Sequence, residues 1–408
     1  MSKVEELLEQ LCPDGVIMKE VREIARIING YAFKSSKYVA SGIRVIRISD
    51  VQKGKMSDKD LKFYPIELMD EIKNYLLKEN DLVMSLTGNV GRVAMLSQQH
   101  LPSGLNQRVA CVRPNSNEVL TRFLFHFFDQ NNFETDAMIN ATGGGQKNMS
   151  TTWLSKYKIP LPPLPIQQEI VSILDKFTTL DAELEIELEA RRTQYKHYRD
   201  QLLCFEGKEV EWKMLGEVGE FIRGRRFVKD DIVPEGVPCI HYGELYTHYN
   251  IWAKEAKSFL NADLAAKLRV ARKGDVVIVS AGETIEDIGN GVAWLGDSDV
   301  VIHDACFAYR HSMNPKYVSY YLQTNLFRSQ IKKYISSGKI SSINSPGLSK
   351  AKIPIPPLEE QERIVKILDK FNALVNDISV GIPAEIKARR KQYEYYRGKL
   401  LDFKPLNN

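Results

Sequence analysis

Polar side chains that could contact nucleic acid, most of them basic or carboxamide, recur along this 408-residue chain. Lysine and arginine neutralise phosphates, whereas arginine matches the edge of guanine, and asparagine or glutamine that of adenine. Any one such residue could instead be a solvated surface residue. In the first half of the chain, the candidates are Lys34, Arg44, Arg47, Thr87, Asn89, Arg92, Asn106, Gln107, Arg108 and Lys147. In the second half, they are Arg223, Arg225, Arg226, Lys229, Ser280, Glu283, Thr284, Asn290, His303 and Lys339.

The sequence carries no recognisable catalytic motif. A DNA adenine methyltransferase needs Asn/Asp-Pro-Pro-Tyr/Phe and a glycine-rich cofactor loop, but the proline pairs at 162–163 and 356–357 are each followed by leucine. Gly-x-x-x-x-Gly-Lys-Ser/Thr, the phosphate-binding loop of many ATPases, does not occur either. We therefore expect a chain that is not an enzyme. A nuclease or methyltransferase with its own active site is the alternative from a different class.

One histidine pattern could form a metal site. His241, Glu244 and His248 would share one face of a helix. The matching places in the first half of the chain hold Arg47 and Asp50, so the sequence predicts no metal there.

A glycine run at 143–145 precedes Gln146 and Lys147. Small residues let backbone amides approach a phosphate, so this segment is a candidate DNA-contacting loop. A flexible hinge is the alternative interpretation.

Composition restricts the class of protein. Hydrophobic residues make up 43% and charged residues 26%, and the net charge is +4, which is typical of a globular protein that could bind nucleic acid locally. No apolar run approaches the roughly 18 residues of a membrane span, and the first residues do not resemble a signal peptide. The five cysteines are scattered without Cys-x-x-Cys. We expect a cytoplasmic protein.

The elements that position these residues occur twice. Residues 159–177 and 353–371 are identical at 13 of 19 positions, and each copy begins Ile-Pro-x-Pro-Pro-Leu. The same spacing relates Gly30 to Gly224 and Phe33 to Phe227, which we interpret as scaffold because both copies keep them. Each copy therefore has a divergent mixed α/β part, with an apolar run at 81–86 or 275–279 that predicts a strand, followed by a long helix.

Apolar residues recur at steps of three and four from Ile170, and from Ile364 through Ile378, which predicts two amphipathic rods. Gly381 and Pro383 should interrupt the second. Charges favour antiparallel packing of the rods. The basic later parts would face the acidic starts: Arg191, Arg192, Lys196 and Arg199 opposite Glu359, Glu360 and Glu362, and Arg389, Arg390, Lys391 and Arg397 opposite Glu169 and Asp175.

The repeated Ile-Pro-x-Pro-Pro-Leu-x-x-Gln-x-x-Ile-Val-x-Ile-Leu-Asp resembles the specificity subunit of type I restriction-modification systems. The resemblance implies an α+β fold with two mixed α/β target-recognition domains separated by a pair of long antiparallel coiled-coil-like helices, in an internal pseudo-two-fold repeat. The expected parts are an N-terminal helical segment at 1–15, recognition domains at 16–158 and 208–352, and helical spacers at 159–207 and 353–408.

The resemblance further implies a non-catalytic subunit that recognises a bipartite, gapped DNA target, with one half-site per recognition domain. Its partners would be double-stranded DNA, two DNA adenine methyltransferase subunits and restriction subunits, with no membrane. S-adenosylmethionine, ATP and magnesium are expected on those partners, and no cofactor on this chain. The outer faces of the rods, including Gln167 and Gln361, would meet the methyltransferases. A methylation-only or type IIB-like complex and a scaffold whose modules bind proteins are the alternatives.

Overall fold

The computed structural model describes residues 3–115, 117–338, 340–377 and 379–406. The chain divides into two compact units, unit 1 with residues 1–183 and 386–408, and unit 2 with residues 184–385. Each unit contains one copy of the globular part of the repeat. The candidate Lys339 and the rod residue Ile378 lie outside the described residues.

Unit 1 is of mixed α/β composition. Its helices are α1 (Lys3–Leu11), α2 (Val21–Ile24), α3 (Thr121–Phe128), α4 (Asn131–Ile139), α5 (Thr151–Lys156) and the first part of α6 (Leu164–Cys204), with 3₁₀ turns at Ser35–Lys37, Ile66–Leu68, Asp70–Tyr75 and Gln98–His100. Its strands are β1 (Met18–Glu20), β2 (Ala25–Asn29), β3 (Ile43–Ile46), β4 (Val51–Gln52), β5 (Lys55–Met56), β6 (Phe63–Tyr64), β7 (Leu82–Ser85), β8 (Val93–Met95), β9 (Ser103–Leu105), β10 (Val109–Pro114) and β11 (Lys158–Pro160).

Unit 2 has a matching set of elements. Its helices are the rest of α6, α7 (Leu215–Val218), α8 (Glu244–Thr247), α9 (Ala262–Ala265), α10 (Pro315–Leu322), α11 (Asn325–Ile331), α12 (Ser345–Ser349) and α13 (Leu358–Asn376), with 3₁₀ turns at Lys229–Asp231, Ile285–Asp287 and Lys332–Tyr334. Helix α14 (Ile382–Leu400) follows. The strands are β12 (Glu211–Met214), β13 (Gly219–Arg223), β14 (Ile232–Val233), β15 (Val237–Ile240), β16 (Trp252–Ala253), β17 (Ser258–Leu260), β18 (Val270–Ala271), β19 (Val276–Val279), β20 (Ala281–Gly282), β21 (Gly291–Trp294), β22 (Val300–Ile302), β23 (Cys306–His311), β24 (Ser341–Ser342) and β25 (Lys352–Ile355).

The sheet topology repeats between the units. The antiparallel order β2-β10-β7-β8 in unit 1 returns as β13-β23-β19-β21 in unit 2, and the latter sheet adds β16 at its edge. The parallel pair β3 and β9 returns as β15 and β22. The central strands β7 and β19 are buried along their whole length, which explains why β19 is entirely apolar and β7 is apolar except for Ser85. The predictions of strands near 81–86 and 275–279 are confirmed.

An acidic residue before each central strand anchors the sheet. Asp81 accepts a hydrogen bond from Arg113 Nε at 2.6 Å, and Asp275 accepts one from Arg310 at 2.9 Å. Both carboxylates are buried, so each is matched by a guanidinium as buried charge requires. This pair belongs to the shared scaffold and not to a variable surface.

Helix α6 has 41 residues, as the apolar periodicity predicts, and contributes to both units. Within unit 1 it packs antiparallel to the later part of α14, because Asp181 pairs with Arg390 at 2.8 Å while Phe177 stacks on Tyr396 with ring centroids 5.7 Å apart. The predicted antiparallel direction is confirmed there. Within unit 2, Tyr198 of α6 stacks on a phenylalanine of α13.

The predicted interruption of the second rod is also confirmed. Helix α13 ends at Asn376 and α14 begins at Ile382. A side chain at Gly381 would come within 2.3 Å of the Ala373 carbonyl, because the chain closes tightly over the last turn of α13. Only glycine fits this close backbone approach.

The charge pairs proposed for the rods were wrong, although the direction was right. Arg191 and Arg192 bind carboxylates of their own helix, since neighbours three and four positions away are closer than the other rod. Aromatic stacking and the pair of Asp181 with Arg390 join the rods instead. The observed partners are Glu187 for Arg191, Glu189 for Arg192, Arg363 for Glu360, Lys3 for Glu169, Arg122 for Asp175 and Asp129 for Arg397.

Gln167 and Gln361 do not lie on outer faces of the rods, so the prediction that they meet methyltransferases was wrong. Gln167 is 0% exposed, and its carboxamide accepts from the Leu120 N–H at 2.9 Å and donates to the Glu118 carbonyl at 2.7 Å. Gln361 is equally buried and accepts from the Asn314 N–H at 2.9 Å. Each glutamine therefore fastens the start of its helix to the globular part of its own unit.

A rod aspartate makes a second attachment in each unit. Asp175 accepts from Arg122 Nε at 2.6 Å and lies 2.7 Å from His126 Nε2, while Asp369 accepts from the Tyr320 hydroxyl at 2.7 Å. Partial burial alone would raise the pKa of Asp175, but His126 and Arg122 outweigh it and hold that pKa below its ordinary value. Within each unit, the start of the rod is thus attached to the globular part that carries the candidate loops.

Candidate nucleic-acid interface

Three loops of unit 1 meet beside the parallel strand pair β3 and β9. They comprise residues 30–34, 46–49 and 105–108. The Asn106 N–H donates to the Ile46 carbonyl at 3.1 Å. The N–H of the residue that follows donates to a backbone carbonyl of loop 30–34 at 2.9 Å. Main-chain hydrogen bonds therefore hold the three loops in one place.

Two further loops join them. Residues 86–92 follow β7, and residues 142–148 form a turn closed on itself by backbone hydrogen bonds. The Thr87 hydroxyl donates to Asn148 Oδ1 at 2.8 Å, which joins these two loops. The backbone N–H of the first residue of loop 86–92 donates to the Arg108 carbonyl at 3.0 Å. This bond joins these two loops to the other three. We call these five loops the unit 1 loop surface.

Most of the candidates in the first half of the chain lie on this surface. Loop 142–148, which contains the glycine run, is exposed along its length. Exposed candidates are Lys34, Asn89, Gln107, Arg108 and Lys147, and half-buried ones are Arg47, Thr87, Arg92 and Asn106.

Arg44 does not belong to the surface. Arg44 is only 6% exposed, and its guanidinium donates hydrogen bonds to Asp58 at 2.8 Å and to the Ser57 carbonyl at 2.7 Å. A base could reach Arg44 only by breaking a partly buried ion pair, so we leave it out of the candidate interface.

Two other arginines already have acidic partners. Arg47 lies 3.1 Å from Asp50, and Arg92 lies 3.6 Å from Glu134. A guanidinium held by a carboxylate is oriented but partly neutralised, which leaves less charge for a phosphate. Lys34, Arg108 and Lys147 are the more exposed cations of the unit 1 loop surface.

The equivalent loops of unit 2 enclose a cleft of about 710 Å³. Its lining includes five predicted residues, namely Arg223, Arg226, Lys229, Glu283 and His303. Phe227 also lies there and is buried beneath the loops, in keeping with its interpretation as scaffold. We call this the unit 2 cleft.

Two predicted residues of unit 2, Arg225 and Ser280, do not line the cleft. Arg225 is exposed, but its guanidinium donates to the Lys267 carbonyl at 2.7 Å. Ser280 is 3% exposed, so we leave it out of the candidate interface. Its backbone takes part in main-chain hydrogen bonds to Ala305 and Ile343.

Thr284 and Asn290 support the loop that follows β19. The Thr284 hydroxyl donates to Asp287 at 2.6 Å, and Asn290 Oδ1 accepts from Arg328 at 2.5 Å. These bonds shape the loop, and they occupy groups that a base would otherwise need.

An aromatic cluster in the cleft was missed by the sequence analysis. His241, Tyr242 and His303 lie with ring centroids 4.5 to 5.2 Å apart. Burial lowers the pKa of both histidines, so the neutral imidazole, which can donate and accept, is favoured. The signal available in the sequence was positional, because His241 and Tyr242 match Arg47 and Ile48 of the first copy.

Glu244 and His248, which share a helical pattern with His241 in the sequence, have other surroundings in the structure. Glu244 accepts from the His241 N–H at 2.9 Å and from the Ser258 hydroxyl at 2.5 Å, while His248 is exposed. Within the part of the chain that the structure describes, no group of three histidine, cysteine or acidic side chains is arranged to hold a metal ion.

The two recurring glycines lie beneath the loops. A side chain at Gly30 would come within 2.0 Å of the Asn106 carbonyl oxygen, and one at Gly224 within 2.1 Å of that of His303. The same close approach of two backbones therefore positions Asn106 in unit 1 and His303 in unit 2.

Comparison with known proteins assigns the chain to a family. The family model for the type I restriction modification DNA specificity domain matches residues 13–190 and 207–388. The chain belongs to the type I restriction-modification specificity subunits. The two matches correspond to the two copies of the repeat, so this specificity subunit has two recognition domains.

Curated relatives agree with this assignment. The specificity subunit is 36% identical over 277 residues to the EcoR124I/EcoR124II specificity subunit of Escherichia coli, an alignment that covers 62% of this chain and 65% of that one. It is 28% identical to a putative specificity subunit of Haemophilus influenzae, with 98% of both chains covered.

A solved structure shares the fold. That structure concerns the structural basis of complex assembly and conformational transition of the type I R-M system. One of its chains aligns with TM-score 0.64 and 17% identity, covering 95% of this chain and 97% of that one. Among the helices the structure describes here, none is both long and apolar enough to cross a membrane.

Proposed function

We propose that this chain is the non-catalytic subunit that gives a type I restriction-modification complex its DNA sequence specificity. Each unit would read one half of a bipartite, gapped target. The observation that carries the proposal is that corresponding loops come together in both units while their side chains differ. A shared frame with different contact residues is what two different half-sites require.

The division between frame and contacts is visible at matched positions. The buried pair of Asp81 with Arg113 recurs in unit 2, as does the glycine beneath the loops. In contrast, Asn89 is matched by Glu283 in the sequence, and Asn106 is matched by His303, because each lies against the recurring glycine of its unit. A scaffold that binds the same protein twice would need similar residues at these places.

The proposal includes partner subunits. Two DNA adenine methyltransferase subunits would supply the active sites and S-adenosylmethionine, and restriction subunits would supply ATP- and magnesium-dependent cleavage. Family membership supports these partners, as does the likeness to a chain from a type I complex. In this proposal the chain carries no catalytic group of its own and acts on DNA in the cytoplasm.

Methylome sequencing tests the proposal directly. A host that expresses this chain with its methyltransferase should carry N6-methyladenine in a split, gapped motif, and deletion of this chain alone should abolish that motif. If the motif persists without the chain, or if the chain alone methylates DNA, the proposed function is wrong.

A further inference from the structure

The turn after the central strand carries chemically different residues in the two units. Asn89 in unit 1 is matched by Glu283 in unit 2, and the residue before each is a glycine. In both units this turn pairs with the loop opposite, through Thr87 and Asn148 in unit 1 and through β20 and β24 in unit 2. Both side chains therefore follow the same pairing, although the turn that carries Glu283 is four residues longer before it closes at Gly289, where unit 1 closes at Gly91.

A carboxylate at the Glu283 position is unexpected on a surface that meets phosphates. Glu283 is exposed and lines the unit 2 cleft together with Arg223, Arg226 and Lys229. The other acidic residue of the cleft, Asp304, is half-buried and lies 3.0 Å from His303 Nδ1. Repulsion between the Glu283 carboxylate and the DNA phosphates weakens DNA binding unless the carboxylate gains a specific hydrogen bond.

Only one base offers a carboxylate a matching donor without a neighbouring acceptor in the major groove. Cytosine presents its N4 amino group there, and glutamate or aspartate accepts from it. Adenine presents a donor beside an acceptor, which suits a carboxamide such as that of Asn89. The basic residues of the cleft offset the repulsion from phosphates, so a carboxylate can be tolerated at this place.

We propose that Glu283 is a specificity-determining residue that accepts a hydrogen bond from cytosine in the half-site bound by unit 2. This inference rests on the proposed function, because it names the base that one of the two loop surfaces reads. It predicts a C·G base pair at one fixed position of that half-site.

The test uses the full chain in complex with its methyltransferase subunits. Glu283→Gln keeps the size of the side chain but adds a donor and removes the charge. Binding to a library of duplexes should show the preference for cytosine at one position of the unit 2 half-site falling by about 10- to 100-fold. Preferences in the other half-site should not change, and the salt dependence should stay the same because no cationic phosphate contact is lost.

Glu286→Gln is the matched control, because Glu286 is exposed three residues further on and does not line the cleft. It should leave every base preference unchanged. If Glu283→Gln instead strengthens binding to all duplexes equally, Glu283 acts by charge alone and the proposal is overturned. A wild-type half-site without a C·G pair also overturns it. If the wild-type complex selects no motif at all, the proposed function itself fails.

Discussion

At the scale of single residues, the loop surfaces depend on contacts that leave no room for a side chain. Gly224→Ala should destabilise unit 2 and displace the loop that carries His303, because the new methyl group would lie about 2.1 Å from the His303 carbonyl oxygen. We expect the free energy of unfolding to fall by about 1–3 kcal/mol, as in other overpacked sites. Urea denaturation followed by circular dichroism measures this.

The control for that substitution is Gly144→Ala in unit 1. A side chain at Gly144 would meet nothing within 4 Å, so the variant should unfold like the wild type. Equal stability of Gly224→Ala and Gly144→Ala would contradict the close approach described above.

His311 should make unit 2 sensitive to acid. Burial lowers its pKa to about 4, and its Nε2 has no hydrogen-bond partner. An unfolded histidine takes up its proton near pH 6.5, so this contribution to stability is complete above that pH and is lost as the pH falls towards 4. At pH 5 we expect about 2 kcal/mol less stability from this group than at pH 7.5.

The measurement is the change in unfolding free energy between pH 7.5 and pH 5 in urea. His311→Gln should show a smaller change than the wild type, whatever its stability at pH 7.5. His248→Gln, at an exposed position, should keep the wild-type change. A wild-type pH response in His311→Gln would contradict the assignment.

Residue types alone could predict which side chains suit DNA, but not which ones reach the surface. Lys34, Gln107 and Arg108 are exposed as the loop pattern suggested. Arg44 and Ser280 are buried, because strand register and a neighbouring aspartate decide their environment. Such register is a property of the folded sheet and cannot be read from composition.

At the scale of elements, the buried glutamines at the helix starts are the attachment that the structure adds. Gln167→Ala would leave the Leu120 N–H and two carbonyls without their partners. We expect a loss of about 2–4 kcal/mol in unfolding free energy, since each unsatisfied buried group costs about 1–3 kcal/mol. Urea denaturation of the full chain gives this value.

The neighbouring Gln168 provides a matched control because it is exposed on the same turn. Gln168→Ala should change the free energy of unfolding by less than about 0.5 kcal/mol. Similar losses in both variants would show that the buried carboxamide of Gln167 is not what joins the helix to its unit.

The long helices and the two central strands were predictable from the sequence pattern, whereas most of the short elements were not. The 3.6-residue pattern predicted α6 and α13, Gly381 and Pro383 predicted the break before α14, and short apolar runs predicted β7 and β19. The partners of the rod charges were not predictable, since Arg191 can reach Glu187 on its own helix. An exposed charged side chain can pair with any of several neighbours. The aromatic rings that stack between the rods pack in one arrangement.

At the scale of the whole molecule, the duplication was the feature that sequence showed most clearly. It predicted two globular parts of one topology, and the sheet orders and the two family matches confirm it. The divergence of the loops is equally visible in the sequence. Which base each loop reads depends on side-chain positions relative to DNA, which no single sequence contains.

The central claim is that each unit reads its own half of the target. The most direct test exchanges residues 215–351 for the matching segment of a specificity subunit with a known target, and then sequences the methylome. This exchange retains β12 and β25, which pair at the base of unit 2. We predict that one half of the methylated motif changes to that of the donor while the other half stays the same. A change in both halves, or in neither, would contradict the account.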